Sequence, residues 1–263
     1  MQTYVINLDR RPDRLHAMAA QLEALAIPFK RIEALDAQTA TPENIECGFA
    51  ANGPLGILSK GDKACGQSHR RALRAFLDSS EPRALILEDD IALDKSAAEL
   101  LRDDAWIPSG VDVVKLEHFG PDSQYVLIAE AIDVAPQRKI ARLRSRHVGA
   151  GAYILSRRAA DVLLHAVPAW PLPVDHMLFN PNISPLFDSL RPYQMLPTVA
   201  RQSSSLGGLS DIAGGRIAQR NLNLRHLKRE LVRAYNDLRA LPWQLMEFAQ
   251  GRATLVRVSN KAG

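Results

Sequence analysis

Three adjacent carboxylates follow a short apolar run near the middle of the chain. The run is Ala84–Leu87, and Glu88, Asp89 and Asp90 come directly after it. Such a run predicts a buried central strand, and charged groups cannot remain inside one. The strand should therefore end there, with the acids at the mouth of a cleft where ligands of α/β sheets bind. Carboxylate oxygens of this kind, with phosphate and water, suit Mg²⁺ or Mn²⁺ on a diphosphate.

The position of these acids in the chain allows two interpretations. Glu88 and Asp90 are two residues apart, so on a strand both would face the same side and one cation. Alternatively, Asp90 or Asp94 is an acidic N-cap of a helix near residues 95–101, since acids are common at helix starts. Both interpretations remain open at this point.

The first 36 residues predict a strand, a helix and a second strand. Residues 4–8 form the first strand, an amphipathic helix begins near Pro12, and residues 29–35 form the second strand, which Asp36 follows. Neither a G-x-G-x-x-G fingerprint nor a Walker loop is present. The basic loop after the first strand offers guanidinium groups that suit phosphate oxygens. Candidates to contact a nucleotide are Asn7, Arg10, Arg11, Arg14 and Asp36, although surface arginines at a helix start often only face water.

Two later segments carry further candidate site residues. Cys65, Ser68 and His69 lie at the start of a predicted helix that ends near Leu77. His69 is either a site residue or a structural histidine, and Cys65 fits a small core residue better than a nucleophile. Asp175 follows a proline and precedes a helical turn, so it is either an N-cap or a lone functional carboxylate in a loop on the second half of the sheet.

Composition indicates a globular protein. The chain has 263 residues, 46% of them hydrophobic and 24% charged, which fits one large domain or one domain with a tail. Two cysteines make no disulfide framework and favour a reducing compartment. We expect no signal peptide and no membrane-spanning segment, and hence a cytoplasmic protein.

Positive charge is concentrated in the last part of the chain. Residues 1–206 carry 23 Lys/Arg and 25 Asp/Glu, whereas residues 207–263 carry 10 and 4. We therefore expect a catalytic domain over 1–206 and a basic helical tail over 207–263. An apolar stripe at helical spacing runs through this tail at Leu224, Leu227, Leu231, Tyr235, Leu238 and Leu241. The helix either lies on the anionic inner face of the cytoplasmic membrane or docks on the protein body, and nucleic-acid binding is disfavoured.

Five short motifs in order resemble those of glycosyltransferase family 25, the lipopolysaccharide and lipooligosaccharide glycosyltransferases. The resemblance covers about residues 3–205. The motifs are Val5-Ile6-Asn7-Leu8-Asp9-Arg10-Arg11-Pro12-Asp13-Arg14, Cys65-x-x-Ser68-His69, Leu85-Ile86-Leu87-Glu88-Asp89-Asp90, Ala152-Tyr153-Ile154-Leu155-Ser156 and Pro173-Val174-Asp175. Two departures stand out: Ala64 replaces a common glycine, and residues 117–147 match no motif and are candidates for acceptor choice.

The resemblance implies a GT-A-like α/β fold, with a mainly parallel sheet between helices, and an inverting transfer of galactose or glucose from a UDP-sugar. The implied acceptor is a lipopolysaccharide or lipooligosaccharide core glycan; a protein or capsule glycan, or a silent nucleotide- or carbohydrate-binding protein, is the alternative. Glu88 and Asp90 would hold Mn²⁺ or Mg²⁺, and Asp175 would be the catalytic base, with Asp89 and Asp188 as rivals. The nucleotide-sugar site would comprise Asn7, Arg10, Arg14, Asp36, Ser68, His69 and Asp89.

Overall fold

The computed structural model describes residues 1–118, 124–202 and 224–259, with side chains from residue 230 onward in the last range. Its strands are β1 (Gln2–Asn7), β2 (Phe29–Glu33), β3 (Arg83–Glu88), β4 (Ile91–Leu93), β5 (Val113–Lys115), β6 (Glu117–His118), β7 (Tyr125–Ala135), β8 (Arg138–Leu143), β9 (Ala152–Ser156), β10 (Tyr193–Leu196), β11 (Ala200–Gln202) and β12 (Thr254–Arg257). Its helices are α1 (Pro12–Ala24), α2 (Pro42–Glu46), α3 (Lys60–Leu77), α4 (Ala98–Arg102), α5 (Arg157–His165), α6 (Val174–Phe179), α7 (Phe187–Leu190) and α8 (Leu224–Ala249).

A nine-stranded sheet organises the molecule, in the order β12-β7-β8-β10-β5-β9-β3-β1-β2. Three neighbouring pairs are parallel, β1–β2, β1–β3 and β5–β10, and the other five are antiparallel. The expectation of a mainly parallel sheet is therefore wrong. The sheet is mixed because β9 enters in reverse between β3 and β5, and because β7, β8 and β12 extend it as antiparallel neighbours.

Helices cover both faces of the sheet, as predicted. Side chains alternate along a strand, so Ile86 packs on one face, in the core formed with α3 and α5, while Leu85 and Leu87 pack on the other, with α1 and α4. The helix α3 begins with a capping box between Ser59 and Asp62. Its first three turns are almost wholly buried, which holds the polar residues of that segment against the end of β3.

The acidic segment follows the end of β3, as predicted, but the turn after the strand changes the geometry. The strand ends at Glu88, and Asp90 lies in a turn before β4. Glu88 and Asp90 therefore do not lie on one strand. The prediction that strand alternation turns both side chains to the same side is wrong. The N-cap interpretation holds for Asp94, whose Oδ1 accepts a hydrogen bond from the backbone N–H of Ser96 at 2.8 Å.

The later part of the chain also contributes to the main sheet. The basic segment beginning at Arg138 is an inner strand, because β8 lies between β7 and β10. The predicted boundary at residue 206 lies outside the described residues. Beyond it, β12 pairs with β7 in the main sheet, so this part of the chain returns to the body of the protein.

Candidate active site at one edge of the sheet

One edge of the main sheet gathers most of the candidate residues. The carboxyl ends of β1, β3 and β5 meet the amino end of the reversed strand β9 there, with Ile6 opposite Glu88 and Lys115 opposite Tyr153. The loop before β9 contains Gly151, where a Cβ atom would lie 2.5 Å from the side chain of Ile91. A side chain at this position would push the segment after β3 away, so glycine permits the close approach.

Asp89 is buried against the first strand and helix. Its Oδ2 accepts a hydrogen bond from Asn7 Nδ2 at 2.7 Å, and its Oδ1 lies 3.4 Å from an Arg14 guanidinium nitrogen. Asn7 Nδ2 also donates to the carbonyl oxygen of Arg11 at 2.9 Å. Burial raises the pKa of Asp89, and the contacts with Asn7 and Arg14 oppose this shift. These contacts connect the basic loop after β1 to the acidic turn after β3. Such a connection is consistent with the predicted nucleotide site.

Neighbouring side chains compensate the buried negative charge of Asp90 only in part. Gln202 donates to its Oδ2 at 3.0 Å, and Arg14 lies 3.9 Å from the same oxygen. Its Oδ1 is buried without a hydrogen-bond partner among the described residues. Burial, and then the negative charge of Glu88, raise the pKa of Asp90 to about 7. An unpartnered carboxylate oxygen beside two other acids fits a hard divalent cation.

Glu88 faces the start of α3. Its Oε1 lies 3.1 Å from His69 Nε2 and 3.6 Å from the sulfur of Cys65. The other ring nitrogen of His69 lies 2.9 Å from the hydroxyl of Tyr153, and the two rings stack. Burial raises the pKa of the Cys65 thiol and of Tyr153. His69 thus lies in the cluster of candidate residues at this edge, and Tyr153 lies beside it.

A buried ion pair beneath the glycine loop was not anticipated from the sequence. Lys115 Nζ lies 3.2 Å from Glu117 Oε1 and also donates to the carbonyl oxygens of Val148 and Gly149. Glu117 Oε1 accepts from the N–H of Gly151 at 2.7 Å. Burial lowers the pKa of Lys115 and raises that of Glu117, while each partner opposes the shift of the other. The sequence signal that could have predicted this ion pair is a lysine at an inward-facing position of an apolar strand.

Asp175 lies at the start of α6, with both carboxylate oxygens held by backbone N–H groups. Oδ2 accepts from Gly149 at 3.3 Å, and Oδ1 accepts from His176 at 2.8 Å. Asp175 is partly exposed, and its charge influences both Cys65 and Lys115, so it belongs to the same cluster. The rival Asp188 is exposed on α7, and no hydrogen bond among the described residues joins it to the cluster.

Three further residues that were predicted for the nucleotide-sugar site lie around this cluster. Arg10 is exposed, and its Nε lies 2.6 Å from Asp36 Oδ2, so the two form an ion pair. Ser68 is buried and structural in its contacts: it accepts from the N–H of Leu35 and donates to the carbonyl oxygen of Ala64, both at 2.8 Å. Ser68 therefore joins α3 to the end of β2.

The sheet edge, with its acidic turn and its basic loop, lies where α/β proteins commonly bind ligands, beyond the carboxyl ends of their strands. The family model described as glycosyltransferase family 25 (LPS biosynthesis protein) matches residues 1–178. The chain belongs to this family, and its relatives are glycosyltransferases of lipooligosaccharide biosynthesis.

Two relatives illustrate this family membership, and a solved structure of low similarity is given after them. The lacto-N-neotetraose biosynthesis glycosyltransferase LgtB of Neisseria gonorrhoeae is 31% identical over 203 residues, which cover 69% of this chain and 68% of that protein. The lipooligosaccharide biosynthesis protein lic2B of Haemophilus influenzae is 27% identical over 77% of this chain and 76% of that protein. The crystal structure of the galactosyltransferase LgtC with donor and acceptor sugar analogues is 13% identical, with a TM-score of 0.37 over 89% of this chain and 96% of that one.

Proposed function

We propose that this protein is an inverting, GT-A-type hexosyltransferase that moves galactose or glucose from a UDP-sugar to a lipopolysaccharide or lipooligosaccharide core glycan. The observation that carries the proposal is the arrangement at the sheet edge. Acidic residues after β3 and a basic loop after β1 occupy one side, and Asp175 occupies the other. Family membership supports glycosyl transfer, and the names of the relatives support a lipooligosaccharide acceptor.

The carboxylates after β3 fit a divalent cation. Among the described residues Oδ1 of Asp90 has no hydrogen-bond partner, and the raised pKa of Asp90 indicates that Arg14 and Gln202 compensate its negative charge only in part. Asp90 and Glu88 would hold Mn²⁺ or Mg²⁺, which as a Lewis acid would neutralise the diphosphate of the leaving UDP. Arg14 spans Asp89 and Asp90, and so it keeps the acidic turn and the basic loop in one orientation.

Asp175 is the proposed catalytic base. In an inverting transfer the acceptor hydroxyl oxygen bonds to the anomeric carbon while the bond from that carbon to the phosphate oxygen breaks, and the hydroxyl proton passes to a base. Two backbone N–H groups orient the carboxylate of Asp175, and its partial exposure leaves it accessible. Asp89 is a weaker candidate, since its oxygens already contact Asn7 and Arg14.

A panel of UDP-sugars with Mn²⁺ or with chelator tests the proposal. We expect Mn²⁺-dependent UDP release from one donor, loss of that release in Asp90→Asn, and a turnover in Asp175→Asn that is lower by about 100-fold or more with donor binding retained. Asp188→Asn is the matched control, because this exposed aspartate should keep full turnover. Donor binding without turnover in the wild type would favour a silent binding protein. No binding of any nucleotide sugar would refute the transferase proposal.

We further propose that α8 lies on an anionic membrane surface that carries the glycolipid acceptor, on the inner face of the cytoplasmic membrane. The helix packs on the body through polar residues: Asn182 donates to Asp237 at 2.8 Å, and Arg144 lies 2.5 Å from Glu247. Its apolar residues point outward instead, with exposed fractions from 45% to 72% at Leu231, Tyr235, Leu238, Leu241, Leu245, Met246 and Phe248. No described helix is long and apolar enough to cross a bilayer.

The outward apolar stripe and the net positive charge of residues 207–263 together support this surface. A helix that buries a shallow apolar face among anionic headgroups gains both hydrophobic and electrostatic free energy. Co-sedimentation with vesicles that contain anionic lipid is the direct test, and its variants are given in the Discussion. The apolar stripe of α8 faces away from the protein body. This orientation differs from the alternative prediction, in which the stripe would pack on the body.

A further inference from the structure

A thiol, an imidazole and a carboxylate converge where α3 meets the end of β3. The sulfur of Cys65, a ring nitrogen of His69 and a carboxylate oxygen of Glu88 all lie within 4.8 Å of one another. Cys65 and His69 are four residues apart on α3, so their side chains project from the same face of the helix. This spacing brings two metal ligands together without any loop, and the strand end supplies the third.

We propose that Cys65, His69 and Glu88 form a binding site for a borderline-soft divalent cation, with Zn²⁺ as the expected occupant. Thiolate sulfur, imidazole nitrogen and carboxylate oxygen are the three donor types that bind Zn²⁺ in proteins. Three protein ligands leave one tetrahedral position open, as in zinc sites that exchange water or substrate. The side chain of Glu88 is 28% exposed, which gives that open position access to the cleft.

Tyr153 supplies the outer support that metal-binding histidines need. Its hydroxyl lies 2.9 Å from Nδ1 of His69, while Nε2 is the nitrogen that faces Glu88 and Cys65. A hydrogen bond from Nδ1–H to the hydroxyl oxygen would leave the lone pair of Nε2 for the cation. Both His69 and Tyr153 are fully buried, and their rings stack at a centroid distance of 5.8 Å, so the imidazole plane is fixed.

This site differs in chemistry from the one proposed for Mn²⁺. The acids around Asp90 offer only oxygen ligands, which suit hard cations, whereas a sulfur ligand favours Zn²⁺ or Co²⁺ over Mg²⁺ and Mn²⁺. Glu88 belongs to both sets, and its two contacts at the thiolate site both fall on Oε1. The cation site stands on its own geometry, so it does not depend on the protein being a transferase.

Cobalt spectroscopy separates this proposal from the transferase proposal. The chain has two cysteines, Cys47 and Cys65, and Cys47 is exposed. In chelator-treated Cys47→Ser protein, any sulfur-to-cobalt charge-transfer band must therefore come from Cys65. We expect this band to saturate near about one equivalent of Co²⁺ and to disappear when Zn²⁺ is added. No nucleotide sugar is needed, so the result is independent of turnover.

Variants test the thiolate ligand, the support from Tyr153 and the separation from the Mn²⁺ site. Cys65→Ser should lose the charge-transfer band, and Tyr153→Phe should weaken Co²⁺ binding by about 10-fold, as outer-shell partners do. Asp90→Asn should lose Mn²⁺-dependent turnover but keep the band, with circular dichroism as the check on folding. The absence of a band in Cys47→Ser protein at millimolar Co²⁺ would overturn the proposal. A band that survives in Cys65→Ser and vanishes in Cys47→Ser would overturn it as well.

Discussion

At the scale of single residues, the buried His147 near the sheet edge shows how its surroundings set a protonation state. His147 is fully buried, and its Nδ1 lies 2.7 Å from Gln194 Oε1. Gln194 Nε2 donates to three backbone carbonyl oxygens, which fixes the amide so that Nδ1 of His147 must be the donor. Its Nε2 has no hydrogen-bond partner among the described residues. Burial, and then the charge of Lys115, lower the pKa of His147 to about 3.

This depressed pKa predicts how stability depends on pH. Between about pH 6.5 and pH 3 the unfolded histidine binds a proton that the folded one does not, so His147 reduces the free energy of unfolding as pH falls. The loss is about 1.4 kcal/mol per pH unit. We expect His147→Gln to flatten the slope between about pH 6 and pH 4 by about this amount, measured by urea unfolding. His165→Gln, at an exposed position, is the control, and equal slopes for wild type and His147→Gln would contradict the prediction.

At the scale of elements, local sequence patterns predicted the pieces of the site but not how they meet. The opening β1-α1-β2 unit and the end of β3 follow from periodicity and from the cost of burying charge. The reversed strand β9 brings Tyr153 beside His69, a contact 84 residues apart in sequence that no local pattern encodes. Local sequence patterns do not predict the ion pair of Lys115 and Glu117 either. The backbone groups that stabilise it, a carbonyl oxygen for Lys115 and an N–H for Glu117, belong to the distant glycine loop.

That ion pair makes β5 responsible for the position of the glycine loop. Lys115→Met would remove the donor to two loop carbonyls and leave Glu117 buried without its cation, so we expect a loss of about 3–5 kcal/mol in the free energy of unfolding. The double variant Lys115→Met/Glu117→Gln should recover at least half of the loss, because no buried charge remains. Urea unfolding of the four proteins of this cycle measures the coupling. A single variant within about 1 kcal/mol of wild type would show that the pair does not secure the loop.

At the scale of the whole molecule, α8 turns its apolar stripe away from the body, and the chain then returns to the sheet as β12. Replacing Leu231, Leu238 and Leu245 by serine should abolish co-sedimentation with vesicles that contain anionic lipid. Folding should be unaffected, because all three side chains are more than half exposed. Leu255→Ser, at an exposed position on β12, is the matched control and should bind like wild type.

Two results would contradict the proposal that α8 lies on an anionic membrane surface. Equal binding of the wild-type protein to neutral and anionic vesicles would show that electrostatic attraction to anionic lipid does not contribute to binding. If sedimentation velocity shows a dimer that the triple serine variant dissociates, the stripe would instead be an interface between two copies of this chain. UDP release with a water-soluble acceptor should not change in the triple variant, since none of the three replaced leucines belongs to the proposed catalytic cluster.

The reversed direction of β9 has a consequence for the polarity of the sheet edge. Parallel strands that end at a common edge present carbonyl oxygens there, which repel carboxylates and phosphates. A strand that begins at the same edge presents N–H groups instead, and here those of Gly149 and Gly151 hold Asp175 and Glu117. The segment that leads into the antiparallel strand thus supports two acids, Asp175 and Glu117, at an edge where carbonyl oxygens alone would disfavour them. An edge with both kinds of backbone group suits hydroxyl groups and anions side by side, as the proposed reaction between a sugar hydroxyl and a sugar phosphate requires.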